Sequence, residues 1–124
     1  MTKVLIVDDV ASNRDLLSGW LKIYGYDTIE AINGEDGLNK ALLYKPDIIL
    51  LDIMMPVMNG LEMCLKIRRK DMAIPIIFIS ARLSAEIDAM CVLGDCFMEK
   101  PVDLEKLITI MAKTIKEKNE NISN

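Results

Sequence analysis

The chain has 124 residues, of which 52% are apolar and 27% charged, and its 15 basic and 19 acidic side chains give a net charge of −4. These values predict a single globular domain and exclude the basic surface that nucleic-acid binding requires. The chain contains no histidine, which excludes histidine-based acid–base catalysis and the commonest zinc sites.

The first residues run directly into a strand-like segment, and no apolar stretch approaches the roughly 20 residues of a membrane-spanning helix. Cys64, Cys91 and Cys96 form an odd set without a secretory signal, so we expect reduced thiols that pack as small hydrophobic residues. The sequence therefore predicts a cytoplasmic protein without membrane contacts.

The chain begins with a strand and a helix. The apolar run from Val4 to Val7 predicts the first strand, which leads into Asp8-Asp9. A helix from about Ser12 to Tyr24 follows, and Gly25 ends it. The helical spacing predicts an inner face of Leu16, Leu17, Trp20, Leu21 and Tyr24.

The middle of the chain continues the alternation. The mixed segment from Asp27 to Ile32 predicts an edge strand, and a second helix follows from Glu35 to Tyr44. Four consecutive apolar residues in the third strand, Asp47 to Asp52, end in a carboxylate and indicate burial on both faces. A third helix, Leu61 to Lys70, is predicted to turn inward Leu61, Cys64, Leu65 and Arg68.

The last third supplies two more strands and two more helices. The segment from Ile74 to Ile79 predicts a strand ending at Ser80, and a fourth helix is expected from Ser84 to Leu93. A short fifth strand, Cys96 to Met98, precedes a final helix capped by Asp103, with an inner face of Leu104, Leu107, Ile108, Met111 and Ile115. Residues 1–118 are predicted to form the domain and residues 119–124 a polar tail that frays.

This alternation predicts an α/β fold, a doubly wound parallel sheet with helices on both faces and right-handed crossovers. Ligands of such sheets bind beyond the carboxyl ends of the strands. The sequence places Asp8, Asp9, Asp52, Ser80 and Lys100 at those ends. We therefore expect three acids, a hydroxyl and an ammonium on one rim.

The chemistry of this set favours phosphoryl transfer. Crowded carboxylates repel each other, and a hard divalent cation such as Mg²⁺ relieves that repulsion. Asp52 can attack phosphorus to give an aspartyl phosphate, while the cation, Lys100 and Ser80 hold the phosphoryl oxygens. Taken singly, a residue such as Asp9 is usually a helix cap, one such as Ser80 is most often a turn residue, and one such as Lys100 is most often a solvated surface charge.

Four motifs together make the sequence resemble the receiver domain of two-component response regulators over about Lys3 to Ile115. They are Val-Asp-Asp after the first strand, Leu-Leu-Asp-Ile-Met-Met-Pro-Val-Met-Asn-Gly around the third, Ile-Ser-Ala at the fourth and Glu-Lys-Pro after the fifth. The resemblance implies a flavodoxin-like sheet of five strands in the order 2-1-3-4-5, with five helices.

The same resemblance implies roles for the rim residues. Asp52 would be the phosphoacceptor, and Ser80 and Lys100 would bind the phosphoryl oxygens. Mg²⁺ would be held by Asp9, by Asp52, by the Met54 backbone carbonyl and, mainly through water, by Asp8.

Switching and partners are also implied. Phe97 would swing inward when Ser80 moves towards the phosphate, and the Lys100–Pro101 peptide bond would be cis. The donor would be a phosphohistidine on a histidine kinase or a histidine phosphotransfer protein. Output would use docking to a downstream protein through the face of the fourth helix, fifth strand and fifth helix, and phosphorylation-dependent homodimerisation is a second mode of output.

The 124 residues leave no room for an output domain after Ile115, so we expect a stand-alone regulator or one piece of a longer chain.

Three other functions use related folds. A receiver that works by protein contact without phosphate is disfavoured, because all five site residues are present. A haloacid-dehalogenase-like phosphatase needs a second acid two residues after the nucleophile, where Met54 stands. A flavodoxin-like cofactor carrier is disfavoured further, because Asp8 and Asp9 would repel a flavin phosphate.

The segment from Ser80 to Lys100 is shorter than in the common receiver pattern. Met54 and Arg82 are expected to hinder the approach of water to the aspartyl phosphate and so to prolong its lifetime.

Overall fold

The computed structural model describes residues 1–81 and 96–123, with side chains described up to residue 120. One parallel sheet in the order β2-β1-β3-β4-β5 contains β1 (Lys3–Val7), β2 (Asp27–Ala31), β3 (Ile48–Asp52), β4 (Ile76–Ser80) and β5 (Cys96–Glu99). The described helices are α1 (Ala11–Ile23), α2 (Gly34–Tyr44), α3 (Gly60–Arg69) and α4 (Leu104–Ser123). The predicted fold and strand order are confirmed, and the predicted helix from Ser84 to Leu93 lies outside the described residues.

The burial of each strand follows its composition. All five residues of β3 and all five of β4 are buried, as continuous apolar runs predict. In β2 only Ala31 is buried, and this strand occupies the sheet edge as predicted. Among the described helices, none has the length and apolar character that a membrane span requires.

Side-chain alternation along the strands divides the core into two clusters. The α2–α3 face joins strand residues such as Leu5, Ile49 and Phe78 to Met63 and Ile67 of α3. On the opposite side of the sheet, the α1–α4 face, the intervening strand residues pack against Leu17 and Leu21 of α1 and Leu107 and Met111 of α4. The buried Leu107 and Met111 confirm the predicted inner face of the last helix.

The predicted inner face of α1 is wrong at two positions. Leu16 and Tyr24 are 62% and 51% exposed, whereas Leu17, Ser18 and Leu21 are buried. The Ser18 hydroxyl lies 2.6 Å from the Thr28 hydroxyl of β2, so a polar contact with the edge strand helps to set the rotation of the helix. Apolar spacing alone does not contain this contact.

The predicted inner face of α3 is also partly wrong. Met63, Cys64 and Ile67 are buried, whereas Leu65 is 38% exposed. Apolar residues at neighbouring positions allow two overlapping stripes along this helix, and the sheet selects the one that contains Met63. Arg68 donates to the carbonyl oxygens of Met72 and Ile74 after the helix end, at 2.9 and 2.8 Å.

The helix ends position the loops at the functional rim. Asn33 and Asn59 accept the backbone N–H groups of Asp36 and Glu62 and so cap α2 and α3. Asp103 accepts the Lys106 N–H at 3.1 Å, as its predicted capping role requires. Helix α4 continues to Ser123, so the polar C-terminal segment has helical backbone there.

Candidate functional site

The parallel strands carry polar side chains to one edge of the sheet. Asp8 follows β1, Asp52 ends β3, Ser80 ends β4 and Lys100 follows β5. In the pairing of β3 with β4, Asp52 lies opposite Ile79, the residue before Ser80. The register therefore brings together residues that are far apart in the sequence.

Three of these side chains form a compact acidic cluster. One carboxylate oxygen each from Asp8, Asp9 and Asp52 lies within 4.8 Å of the others. Asp8 and Asp52 are 4% and 6% exposed, whereas Asp9 is exposed. Hard oxygen donors with one open side fit Mg²⁺, which keeps several water ligands when it binds to proteins.

Lys100 supplies the positive charge of the cluster. Its Nζ lies 3.3 Å from Asp8 Oδ2 and 3.4 Å from Asp52 Oδ2. Its backbone N–H donates to the Ser80 carbonyl oxygen at 2.7 Å, and the Lys100–Pro101 peptide bond is cis. One ammonium thus bridges the two buried acids from the end of the edge strand β5, which lies on the far side of β4.

The Asp52 carboxylate has an unusual electrostatic environment. Burial raises the pKa of Asp52 above its ordinary value, the Lys100 ammonium opposes this rise, and the Asp8 carboxylate adds to it. The Met54 N–H donates to Asp52 Oδ1 at 3.2 Å and also favours the ionised form. The net result is a pKa of Asp52 above its ordinary value, with burial as the largest cause.

The two residues predicted to switch lie on neighbouring strands. Ser80 is fully buried at the end of β4. Phe97 lies opposite Phe78 in the β4–β5 pairing and packs, partly buried, against the α2–α3 cluster. Near Asp52, Met54 is 66% exposed, and Arg82 lies outside the described residues.

A cavity of about 480 Å³ leads to Asp52 from the α1–α4 face. Asp8, Asn13, Asp52 and Lys100 line its polar part, and apolar side chains of α1, the strands and the β5–α4 connection form the rest. Asp52 is thus accessible to a reactant although little of its own surface is exposed.

The sequence analysis missed contacts that hold Asp8. Asp8 Oδ1 accepts the Val10 N–H at 2.9 Å, Oδ2 accepts the Asn13 amide at 3.2 Å, and the carbonyl oxygen accepts Arg14 Nη1 at 2.7 Å. The alternative in which Asp9 caps the first helix is wrong, because Val10 is the N-cap of α1 and makes no side-chain cap bond. Only the spacing of Asn13 from Asp8, which places both near the first turn of the helix, could have indicated the contact.

The role of Gly60 was missed as well. A Cβ atom on Gly60 would overlap the backbone carbonyl oxygen of Asp52, and the Gly60 N–H donates to the Ile53 carbonyl oxygen at 3.1 Å. The Asn59-Gly60 pair entered the prediction only as the end of the motif around the third strand. Its second residue allows α3 to begin directly against the backbone of Asp52.

Comparison with known proteins adds family relationships. Residues 4–112 match a family model described as the response regulator receiver domain. The chain is 40% identical over 102 residues to the alkaline phosphatase synthesis transcriptional regulatory protein PhoP of Bacillus subtilis, covering 80% of the chain and 42% of that protein. It is 40% identical over 111 residues to response regulator ArlR of Staphylococcus aureus, covering 87% and 50%. The chain spans about half the length of these curated relatives.

Solved structures show the same fold. Chemotaxis protein CheY4 of Vibrio cholerae is similar with a TM-score of 0.86 and 30% identity, over 92% of this chain and 98% of that one. Response regulator protein TrrA of Thermotoga maritima, in complex with Mg(2+)-BeF, is similar with a TM-score of 0.85 and 32% identity, over 92% and 99%.

Proposed function

The chain belongs to the response regulator receiver domain family, and from this premise we propose that it is a switch operated by phosphorylation of Asp52. The donor is a phosphohistidine on a histidine kinase or a histidine phosphotransfer protein. The observation that carries the proposal is the convergence of Asp8, Asp9 and Asp52 within 4.8 Å, with the Lys100 ammonium between the two buried acids.

Each residue of the rim has a distinct task in this reaction. An Asp52 oxygen forms the bond to phosphorus while the bond from phosphorus to the donor nitrogen breaks, and the leaving imidazole takes up a proton. Lys100 and Ser80 hold phosphoryl oxygens. Asp8 and Asp9, with Asp52 and the Met54 carbonyl oxygen, would hold Mg²⁺, which neutralises charge on the transferring group when bound.

Lys100 must change partners for the transfer. In the described structure its ammonium neutralises part of the negative charge of Asp8 and Asp52, which would otherwise repel an anionic donor. When the phosphoryl group arrives, the same ammonium can contact its oxygens. The Lys100 ammonium thus offsets negative charge at the site both before and after transfer.

Output follows from the residues beside the phosphate. We propose that Ser80 moves towards the phosphoryl group and that Phe97 turns inward, which alters the surface offered to a downstream protein. The proposed setting is the cytoplasm, where the kinase domains that donate phosphoryl groups are found. Phosphorylation-dependent pairing of two copies is a further form of output.

Labelling by a small phosphodonor tests the proposal. The protein is incubated with acetyl phosphate, with and without Mg²⁺, and its intact mass is measured. We expect the mass of one added phosphoryl group in the presence of Mg²⁺ and none in Asp52→Asn. The exposed Asp15 of α1 supplies the matched control, since Asp15→Asn should label like the wild type. Equal labelling of Asp52→Asn would overturn the proposal, and a wild type that does not label would favour the contact-only receiver.

A further inference from the structure

Four side-chain or backbone donors of the described residues contact Asp8. The N–H of Val10 and the amide of Asn13 each donate to one carboxylate oxygen, Arg14 donates to the carbonyl oxygen, and the Lys100 ammonium contacts Oδ2. Asp8 therefore joins the end of β1 to the start of α1 and also to the β5–α4 connection.

These donors differ in what they can do during phosphoryl transfer. Val10 holds Oδ1 and Arg14 holds the backbone carbonyl. The direction of Oδ2 therefore depends on Asn13 and Lys100. Lys100 and Asn13 share Oδ2, at 3.3 and 3.2 Å. The Lys100 ammonium is needed elsewhere when a phosphoryl group arrives, whereas the Asn13 amide belongs to the first turn of α1 and has no such second task.

We propose that Asn13 is a positioning residue of the divalent-cation site, which keeps the Asp8 carboxylate directed towards that site both while Lys100 contacts it and after Lys100 leaves it. The inference rests on the proposed function, because it assigns Asn13 a task only if a cation binds beside Asp52. It concerns the affinity for the cation, and Asn13 itself contacts neither phosphorus nor the cation.

Two opposing effects decide what loss of Asn13 does. Removal of a hydrogen-bond donor leaves more negative charge on Asp8 Oδ2, which by itself would strengthen cation binding. Asn13 lines the open cavity, however, so water can replace its amide and restore most of that balance. Water cannot hold the carboxylate in one orientation, so the entropy cost of ordering the Asp8 side chain opposes cation binding. The loss of orientation therefore dominates.

Titration calorimetry of the unphosphorylated protein with Mg²⁺ measures this effect. For Asn13→Ala we expect affinity to fall by about tenfold, the low end for partners that orient a metal ligand, because Asp8 keeps its Val10 bond. The control is Ser12→Ala, an exposed neighbour in the same helical turn, which should bind like the wild type. Urea unfolding of both variants without cation checks that they are equally folded.

A double-mutant cycle separates positioning from a general effect on α1. In the Asp8→Asn background, Asn13→Ala should leave the residual Mg²⁺ affinity unchanged, because the carboxylate on which it acts is gone. An equal loss in both backgrounds, or wild-type affinity in Asn13→Ala, would overturn the inference while the proposed function stands. A wild type that binds no Mg²⁺ would overturn both.

Discussion

The two faces of the sheet are packed in different ways around the same acidic residue. On the α2–α3 face, a Cβ atom on Gly34 would overlap the Met58 carbonyl oxygen, and one on Gly37 would lie 2.8 Å from the Met63 sulfur. On the α1–α4 face, a second buried cluster leaves a cavity of about 480 Å³ that reaches Asp52.

This difference separates support from access. The close packing on the α2–α3 face holds the β3–α3 loop and, through Gly60, the backbone of Asp52. In the proposed function, the open cavity on the other face would admit the donor and the cation with its water ligands. Close packing beside the Asp52 backbone and an open approach to its carboxylate then serve different needs of the same site.

The largest expected effect comes from filling the closed side. Gly60→Ala places a methyl group against the backbone oxygen of Asp52, which cannot move as a flexible side chain would. We expect a loss of about 3 kcal/mol in the free energy of unfolding, at the upper end for overpacked sites. Urea denaturation monitored by circular dichroism measures it.

An exposed glycine supplies the matched control. Gly19 of α1 is exposed and a Cβ there would meet no atom within 4 Å, so Gly19→Ala should stabilise the protein by about 0.5–1 kcal/mol through helix propensity. A loss of stability in Gly19→Ala as large as in Gly60→Ala would show that the Gly60 effect does not come from overlap with the Asp52 carbonyl oxygen.

This contrast also marks what the sequence could predict. The continuous apolar runs of β1, β3 and β4 predicted buried strands. The polar residue that ends or follows each run was then predicted to lie at the carboxyl edge of the sheet. Asp8, Asp52 and Ser80 were placed at the rim in this way, because strand ends are local features of the sequence. Four motifs were sufficient to indicate the family.

The errors arose where packing between elements decides the outcome. Leu65 was placed inside because the α3 pattern allows two overlapping stripes, and only contact with the sheet selects between them. The contact between Gly60 and the Asp52 carbonyl depends on how closely the helix approaches the strand end. The spacing of Asn13 from Asp8 is compatible with their contact, but the angle at which α1 leaves β1 decides whether it forms.

The next largest effect tests charge balance on the open side. Lys100→Met leaves the buried Asp8 and Asp52 without their shared ammonium, and we expect a loss of about 1–2 kcal/mol at neutral pH. This is less than for a fully buried pair, because the Lys100 side chain is 26% exposed and the cavity admits water.

The same variant should respond to Mg²⁺. Because the cation replaces the missing positive charge, Mg²⁺ should stabilise Lys100→Met more than it stabilises the wild type, as measured by thermal unfolding. An equal shift for both proteins would contradict the view that Lys100 and the cation balance the same carboxylates.

A smaller effect concerns the pH dependence of stability. Because the folded state raises the pKa of Asp52, mainly through burial, the wild type loses stability as pH rises through that folded pKa. Asp52→Asn lacks this loss. In cation-free buffer we expect the variant to be more stable at neutral pH, and the difference to disappear below about pH 3, where the carboxyl is protonated in both states.

Urea unfolding of both proteins across this pH range measures the difference. A wild type that is more stable than Asp52→Asn at neutral pH would show that Lys100 outweighs burial at the acceptor.

The smallest expected effect tests whether packing on the closed side sustains backbone strain. Val57 in the β3–α3 loop has a φ of 70°, unfavourable for a β-branched residue, while its side chain is 80% exposed. Its neighbour Met58 is buried against Gly34, which holds the loop in place. Since asparagine tolerates this conformation, Val57→Asn should stabilise the protein by about 0.5–1 kcal/mol in urea unfolding. Val57→Thr keeps the branched Cβ and should show no gain in stability. An equal gain from threonine would show that the effect does not come from relief of backbone strain.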